Sequence, residues 1–189
     1  MKQPLTTEPP LLNPFHDLFD EIKNLDVTSL KKIQKKMAWT FAWGIPTAEV
    51  IYKISKLNPI IEIGAGTGYW SWLLQQANAE IQAFDQNFSA PPHWTKVQEG
   101  GPEKINLFPD HNLLVCWPTL GSPFAYHCID LFTGEFFIYV GEGVNGVTGD
   151  PKFFDLLDKK FTLHETIKVP NWPWFKDSVF IYKNKKAQL

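Results

Sequence analysis

Cysteine is scarce in this 189-residue chain, with Cys116 and Cys128 the only two. Two thiols make no disulfide framework, and free cysteine is usually buried, so a reducing cytoplasm is the expected location. The five His residues are scattered without an HxH or HExxH pattern, and no CxxC pair accompanies them, so no metal site is expected. No apolar run reaches the length that spans a bilayer. Residues Met1 to Pro14 are polar and Pro-rich and lack the apolar core of a signal peptide. An excess of either charge is missing as well. The formal net charge is −2, so nothing draws the whole molecule toward nucleic acid or an anionic membrane. What the chain does have is 44% hydrophobic and 20% charged residues, the balance of a globular protein. Aromatics reach 15%, with eight Trp, which serve a thick core or a flat apolar ligand. The length suits one domain, which hides roughly 70% of its unfolded surface.

Residues 1–12 read as a flexible arm and residues 13–189 as a single domain, with N-terminal helices over 13–42. Asn13-Pro14 has the form of a cap and first-turn proline, and Phe15, Leu18, Phe19, Ile22 and Leu25 follow at helical spacing. Thr28 or Ser29 is the expected cap of a second helix, which carries Leu30, Ile33, Met37 and Phe41 on one face and Lys31, Lys32, Lys35 and Lys36 on the other. A solvated helix face explains that Lys cluster better than a phosphate-rich partner does. A third helix opens at Pro46 and stops before Asn58-Pro59. Strands and helices then alternate. Strands are expected at Ile60–Ile63, Ile81–Phe84, Thr95–Gln98, Leu113–Cys116 and Phe136–Val140, and helices at Tyr69–Ala77, Phe124–Leu131 and from Asp150-Pro151 to Lys159. This alternation implies a parallel sheet covered on both faces, wound in the right-handed sense. The last two strands, Phe161–Val169 and Val179–Lys183, have no helix between them and can pair only antiparallel.

The run Pro59-Ile-Ile-Glu-Ile-Gly-Ala-Gly-Thr-Gly-Tyr-Trp carries the chemistry. A buried strand ends at Glu62-Ile63, Gly64, Gly66 and Gly68 make a tight turn, and a helix follows. Glycines there permit strained dihedrals and close approach of a ligand to the main chain, and the helix start presents free N–H groups. The dinucleotide fingerprint GxGxxG puts a third small residue where this chain has Tyr69, which argues against a nicotinamide oxidoreductase. An acid at the strand end, Glu62, suits a cationic ligand. A second acid, Asp85, ends the next strand about twenty residues after the first glycine, where it can accept both hydroxyls of a ribose.

The pattern Glu62-Ile-Gly64-Ala65-Gly66-Thr67-Gly68 resembles motif I of the class I S-adenosylmethionine-dependent methyltransferases. The resemblance implies a three-layer α/β sandwich of the Rossmann-like methyltransferase fold. Its seven-stranded, mostly parallel sheet has order 3-2-1-4-5-7-6, with the last strand antiparallel. It also implies S-adenosylmethionine as cofactor, contacted by Glu62, Gly64, Ala65, Gly66, Thr67 and Gly68, with Asp85 on the ribose and Glu99 toward the adenine. Cys116 and Trp117 are placed beside the same cofactor, with Trp117 either stacking on a flat ring or lining the methyl-transfer pocket, or else serving as a buried wedge beside the glycine loop. After the fourth strand, many amino-methylating members carry Asp/Asn-Pro-Pro-Tyr. Here Leu114-Val-Cys-Trp-Pro-Thr119 stands instead, so the family's usual holder for the amine of adenine or glutamine is missing. Together with Trp43-Gly-Ile-Pro46 and the loop Tyr139–Asp150, the chain from about Phe41 onward is also similar to a group of short methyltransferase-like proteins.

Methyl transfer needs proximity and alignment above all, and a base only where the acceptor must lose a proton. Glu142, on the Gly-rich loop after the fifth strand, is the candidate base by position. A loop carboxylate bonded to nearby N–H groups is the plainer reading. His127 and Cys128 read as ordinary helix residues, and Trp172 to Trp174 as packing over the sheet end. The acceptor is expected to be a small molecule or a protein side chain, not a nucleic acid. The rival readings are a methyltransferase-fold binding protein without turnover and, behind it, a nicotinamide enzyme.

Overall fold

The central strands of the sheet form where β-favouring apolar residues run together between turn residues. The computed structural model describes residues 10–87 and 93–188, so most of the expected N-terminal arm lies outside the described residues. The strands are β1 (Ile60–Ile63), β2 (Ile81–Asp85), β3 (Gln98–Glu99), β4 (Asn112–Cys116), β5 (Phe136–Gly141), β6 (Phe161–Lys168) and β7 (Ser178–Asn184). All four residues of β1 are buried, as befits a parallel strand covered on both faces. The order is β3-β2-β1-β4-β5-β7-β6. The pairs from β3 to β5 are parallel, and β7 runs antiparallel to both β5 and β6. This is the expected topology.

The helices are α1 (Pro14–Ile22), α2 (Val27–Thr40), α3 (Ala48–Ser55), α4 (Tyr69–Gln76), α5 (Phe124–Leu131) and α6 (Pro151–Lys160). Asn13 caps α1 and Asp150 caps α6, each followed by proline as the sequence predicts. The cap of α2 is Asp26 rather than Thr28 or Ser29. One oxygen of its carboxylate accepts both of their N–H groups, and the other accepts the Ser29 hydroxyl. An ionised acceptor takes these charge-assisted bonds better than a hydroxyl does. The third strand is shorter than expected and shifted. Thr95 and Val97 pack against the glycine turn, where a Cβ on Gly68 would meet Val97 Cγ2 at 2.8 Å and Thr95 Cγ2 at 3.2 Å. Only Gln98 and Glu99 pair with β2, and a 3-10 turn over Pro102–Leu107 that the sequence did not signal follows.

Side chains alternate across the sheet and build two cores. Leu114, Ile138, Val140, Val179 and Ile181 face α1 to α4, while Ile61, Ile63, Leu113, Val115, Phe137 and Tyr139 face α5 and α6. Each large side chain so buried contributes ~1.5–3 kcal/mol. Trp172 is fully enclosed and meets Phe19 edge-on at 5.2 Å, so the β6–β7 connection is tied to α1.

Candidate functional site

The turn after β1 takes its shape from three residues without side chains. Gly64, Gly66 and Gly68 have φ of +80°, +54° and +74°, a region that costs other L-residues ~1–2 kcal/mol. The Gly64 and Ala65 N–H groups donate to the Phe84 carbonyl at 2.8 and 3.0 Å, which binds the turn to the end of β2. Asp85 completes the join. Its Oδ2 accepts the Gly66 N–H at 2.7 Å and its Oδ1 accepts the Asn87 N–H at 2.7 Å. Glu99 lies beside Asp85 in the β2–β3 register and is exposed. The turn, Asp85 and Glu99 therefore share one rim, at the carboxyl ends of the strands. Above Gly66 nothing lies within 4 Å of where a Cβ would stand. A cavity of ≈ 390 Å³ is lined by Gln86, the residue after Asp85, and by Pro102, Ser122, Pro123, Phe124 and His127 among others. Phe124 also touches the turn, 3.0 Å from a Cβ built on Gly64.

Glu62, at the end of β1, is almost fully buried and accepts the Ser71 hydroxyl and N–H from α4. Burial pushes its carboxyl group up to about 7, against the pull of the Ser71 bonds and with the nearby Asp85 charge adding to the rise. Thr67 donates its hydroxyl to the Phe41 carbonyl, and its own carbonyl accepts the Trp94 N–H at 2.8 Å. Trp94 in turn donates its indole N–H to the Thr40 carbonyl at 2.7 Å. Tyr69, in the place a third glycine would take, is fully buried. Its hydroxyl donates to Asn13 Oδ1 at 2.8 Å and accepts the Phe15 N–H at 3.0 Å. The N-terminal helices are thus fastened to the glycine turn.

The connection from α2 to α3 crosses the ends of β4 and β5. A Cβ on Gly44 would meet Val140 Cγ1 at 2.8 Å and Cys116 Sγ at 3.6 Å. The Cys116 thiol is pushed well up, by burial first and then by the Glu62 and Asp177 charges. Trp117 has φ +53°, uncommon for a bulky residue. Its N–H donates to the Val140 carbonyl at 2.8 Å and its indole N–H to Asp177 Oδ2 at 2.9 Å. Its ring stacks on Trp43 at 4.9 Å and meets Phe175 edge-on at 4.8 Å.

Both oxygens of Glu142 are engaged by backbone. Oε1 accepts the Lys176 N–H at 2.6 Å and Oε2 the Val147 N–H at 2.9 Å. This carboxylate clamps the loop after β5 to the connection before β7. Asn145 and Val144 are exposed at the loop tip, and the Thr148 hydroxyl is buried against the Tyr139 hydroxyl at 2.6 Å. Cys128 is buried in α5 and His127 is exposed. Asp177 is a rim feature that the sequence did not single out, and Trp43-Gly44 stood out there only for a resemblance, without a place at the rim. Both reach the rim only through long-range packing, and their residue types carry no local signal of it. Among the described residues, no group of three or more His, Cys, Asp or Glu is placed to hold a metal ion, and no helix is long and apolar enough to cross a membrane.

No family model and no curated protein matches the sequence. Solved structures do match by shape. An O-methyltransferase from Bacillus cereus, in complex with S-adenosylhomocysteine, aligns over 91% of this chain and 98% of its own, at 9% identity and a TM-score of 0.51. The 1,6-didemethyltoxoflavin-N1-methyltransferase of Burkholderia thailandensis, with 1,6-didemethyltoxoflavin and S-adenosylhomocysteine bound, aligns over 97% of this chain and 93% of its own, at 14% identity and a TM-score of 0.50. In strand order and overall shape, the chain has the class I Rossmann-like fold of the S-adenosylmethionine-dependent methyltransferases.

Proposed function

We propose that the chain binds S-adenosylmethionine at the β1–β2 rim and transfers its methyl group to an acceptor. The observation that carries this reading is the join between the Gly64–Gly68 turn and Asp85 at the carboxyl ends of two parallel strands. Ligands of open α/β sheets bind at that edge. The residues fit the cofactor. The space above Gly66 lets a ligand approach the main chain, and the Phe124 ring, which touches the turn at Gly64 and lines the cavity next to Gln86, offers a face against which a flat base can lie. Each Asp85 oxygen spends one lone pair on a backbone N–H and keeps another for a ribose hydroxyl. Glu99, the next acid along the rim, stands toward the adenine side. Glu62 supplies a buried carboxyl beneath the turn, where a cationic ligand favours its ionised form.

When bound, S-adenosylmethionine supplies an electrophilic methyl group on a sulfonium. The chain's part is to align the acceptor with it and to keep water out. In this reading Cys116 and Trp117 border the methyl-transfer space from the end of β4. Glu142 holds two loops in place, each of its oxygens accepting a backbone N–H from one of them. Calorimetric titration of the chain with S-adenosylmethionine and S-adenosylhomocysteine tests the first half, with micromolar binding expected of both. Heat with NAD(H) and none with either would overturn it. Incubation with labelled cofactor and lysate fractions tests the second half. Tight cofactor binding with no labelled product in any fraction would make the chain a binding protein instead of an enzyme.

A further inference from the structure

Asp177 is a buried carboxylate for which the reading above has no use. It stands one residue before β7, whose first residue pairs with Gly141 at the end of β5, so it belongs to the same rim as Cys116. It is 3% exposed. Its Oδ2 accepts the Trp117 indole N–H, while its Oδ1 is enclosed without a hydrogen-bond partner. Among the described residues no cationic side chain pairs with it, and all 18 basic residues of the chain are Lys, with no Arg to reach in as a planar clamp. The charged group that acts on it is Glu142, a second buried carboxylate, and burial with this neighbour pushes it up to about 6. A carboxylate left this way in the interior normally has a counter-charge. Its surroundings are rings. Trp117 is bonded to it, Trp43 lies parallel to Trp117 with planes 17° apart, and Phe175 closes the edge. Trp117 turns its N–H edge to the carboxylate and its face to Trp43, and it is the face that attracts a cation. The strained backbone of Trp117 is held by two bonds at this spot, one of them to Asp177.

We propose that Asp177, Trp117 and Trp43 form the acceptor end of the site and that it takes a flat molecule anchored by a protonated amine, with a different atom of the guest, one that keeps a lone pair, receiving the methyl group. The proposal rests on the methyltransferase reading of the neighbouring rim. Asp177 Oδ1 supplies the counter-charge, and the guest's ring lies on Trp117 in the place that Trp43 fills in its absence. Trp43 is the displaceable member, because it is 37% exposed and hangs from the α2–α3 connection. An acceptor bearing phosphate or carboxylate would instead meet two buried acids and no arginine.

The test uses the full chain saturated with S-adenosylhomocysteine and two probes of one shape, naphthylmethylamine and the neutral naphthalenemethanol, compared by calorimetry at neutral pH. The amine is expected to bind about tenfold tighter than the alcohol. Asp177→Asn should bring the two within about twofold while affinity for S-adenosylhomocysteine holds. Trp43→Ala should tighten both probes by freeing the Trp117 face, and it tests the stack whether or not the Asp177 variant folds. Equal binding of the two probes to the native chain, or an amine preference that survives Asp177→Asn, would overturn the proposal. A chain that binds S-adenosylhomocysteine but shows no preference sinks this inference alone. A chain that binds no S-adenosylhomocysteine sinks the methyltransferase reading, and the probes then report on Asp177 by themselves.

Discussion

Replacing Glu62 by Gln should make the protein less sensitive to a rise from acid to neutral pH. Glu62 sits beneath the glycine turn at 1% exposure, with the Ser71 hydroxyl and N–H as its partners. Its carboxyl group moves from 4.5 to about 7 on folding, chiefly through burial. Because the folded value lies above the unfolded one, the folded state holds the proton more tightly. The stability this confers is whole below about pH 4.5 and is lost as pH rises through about 7. At 1.36 kcal/mol per unit, the full loss is about 3 kcal/mol. Asp177 is shifted in the same direction, so the wild type alone does not isolate the effect, but the difference between wild type and Glu62→Gln does. Urea unfolding followed by tryptophan emission at a series of pH values gives that difference. The variant should gain about 2–3 kcal/mol on the wild type between acid and mildly alkaline pH, with half of the gain reached by about pH 6, between the unfolded and folded values. A difference that stays flat across the series would mean that Glu62 holds its proton no more tightly in the folded protein than in the unfolded chain, and the argument from its burial would fail. If the cofactor binds as proposed, its affinity should also rise with pH through the same window, as a sulfonium favours the deprotonated form.

Gly66→Val should abolish detectable S-adenosylhomocysteine binding in calorimetry while circular dichroism stays native, since φ of +54° strains a β-branched residue by ~1–2 kcal/mol but open space surrounds the new side chain. Asp85→Ala removes the acceptor for the Gly66 and Asn87 N–H groups and both proposed ribose contacts. S-adenosylhomocysteine should bind it about tenfold or more weakly, and an unchanged titration would remove Asp85 from the site. Tyr69→Phe strands the buried Phe15 N–H and shifts Asn13, so its urea midpoint should fall by an equivalent of ~1–3 kcal/mol.

The turn after β1 was legible in the sequence because its three positive φ angles fall on three glycines, and a residue without Cβ is how such angles are written. The antiparallel β7 was legible for a topological reason, since no crossover helix separates Phe161–Lys168 from Ser178–Asn184. Features that depend on residues far apart were not. Trp117 adopts a left-handed φ with no local sequence mark, because bonds to Val140 and Asp177 hold it there. Asp26 rather than Thr28 or Ser29 caps α2 because three acceptor contacts converge on one carboxylate. The third strand is short because Thr95 and Val97 pack on the turn. The bonding of Glu142 to two loop N–H groups follows the plainer of the two sequence expectations, but the identity of Lys176 as one donor depends on a contact 34 residues away.

The fastening of α1 and α2 to the glycine turn has a consequence for anyone handling this protein. Asn13 grips the phenol at the base of the turn, and the carbonyls of Thr40 and Phe41 hold Trp94 and Thr67. The opening helices are therefore part of the scaffold that keeps the turn in shape, and a truncation or fusion that lifts Pro14 from its seat would be felt some fifty residues later, at Gly68.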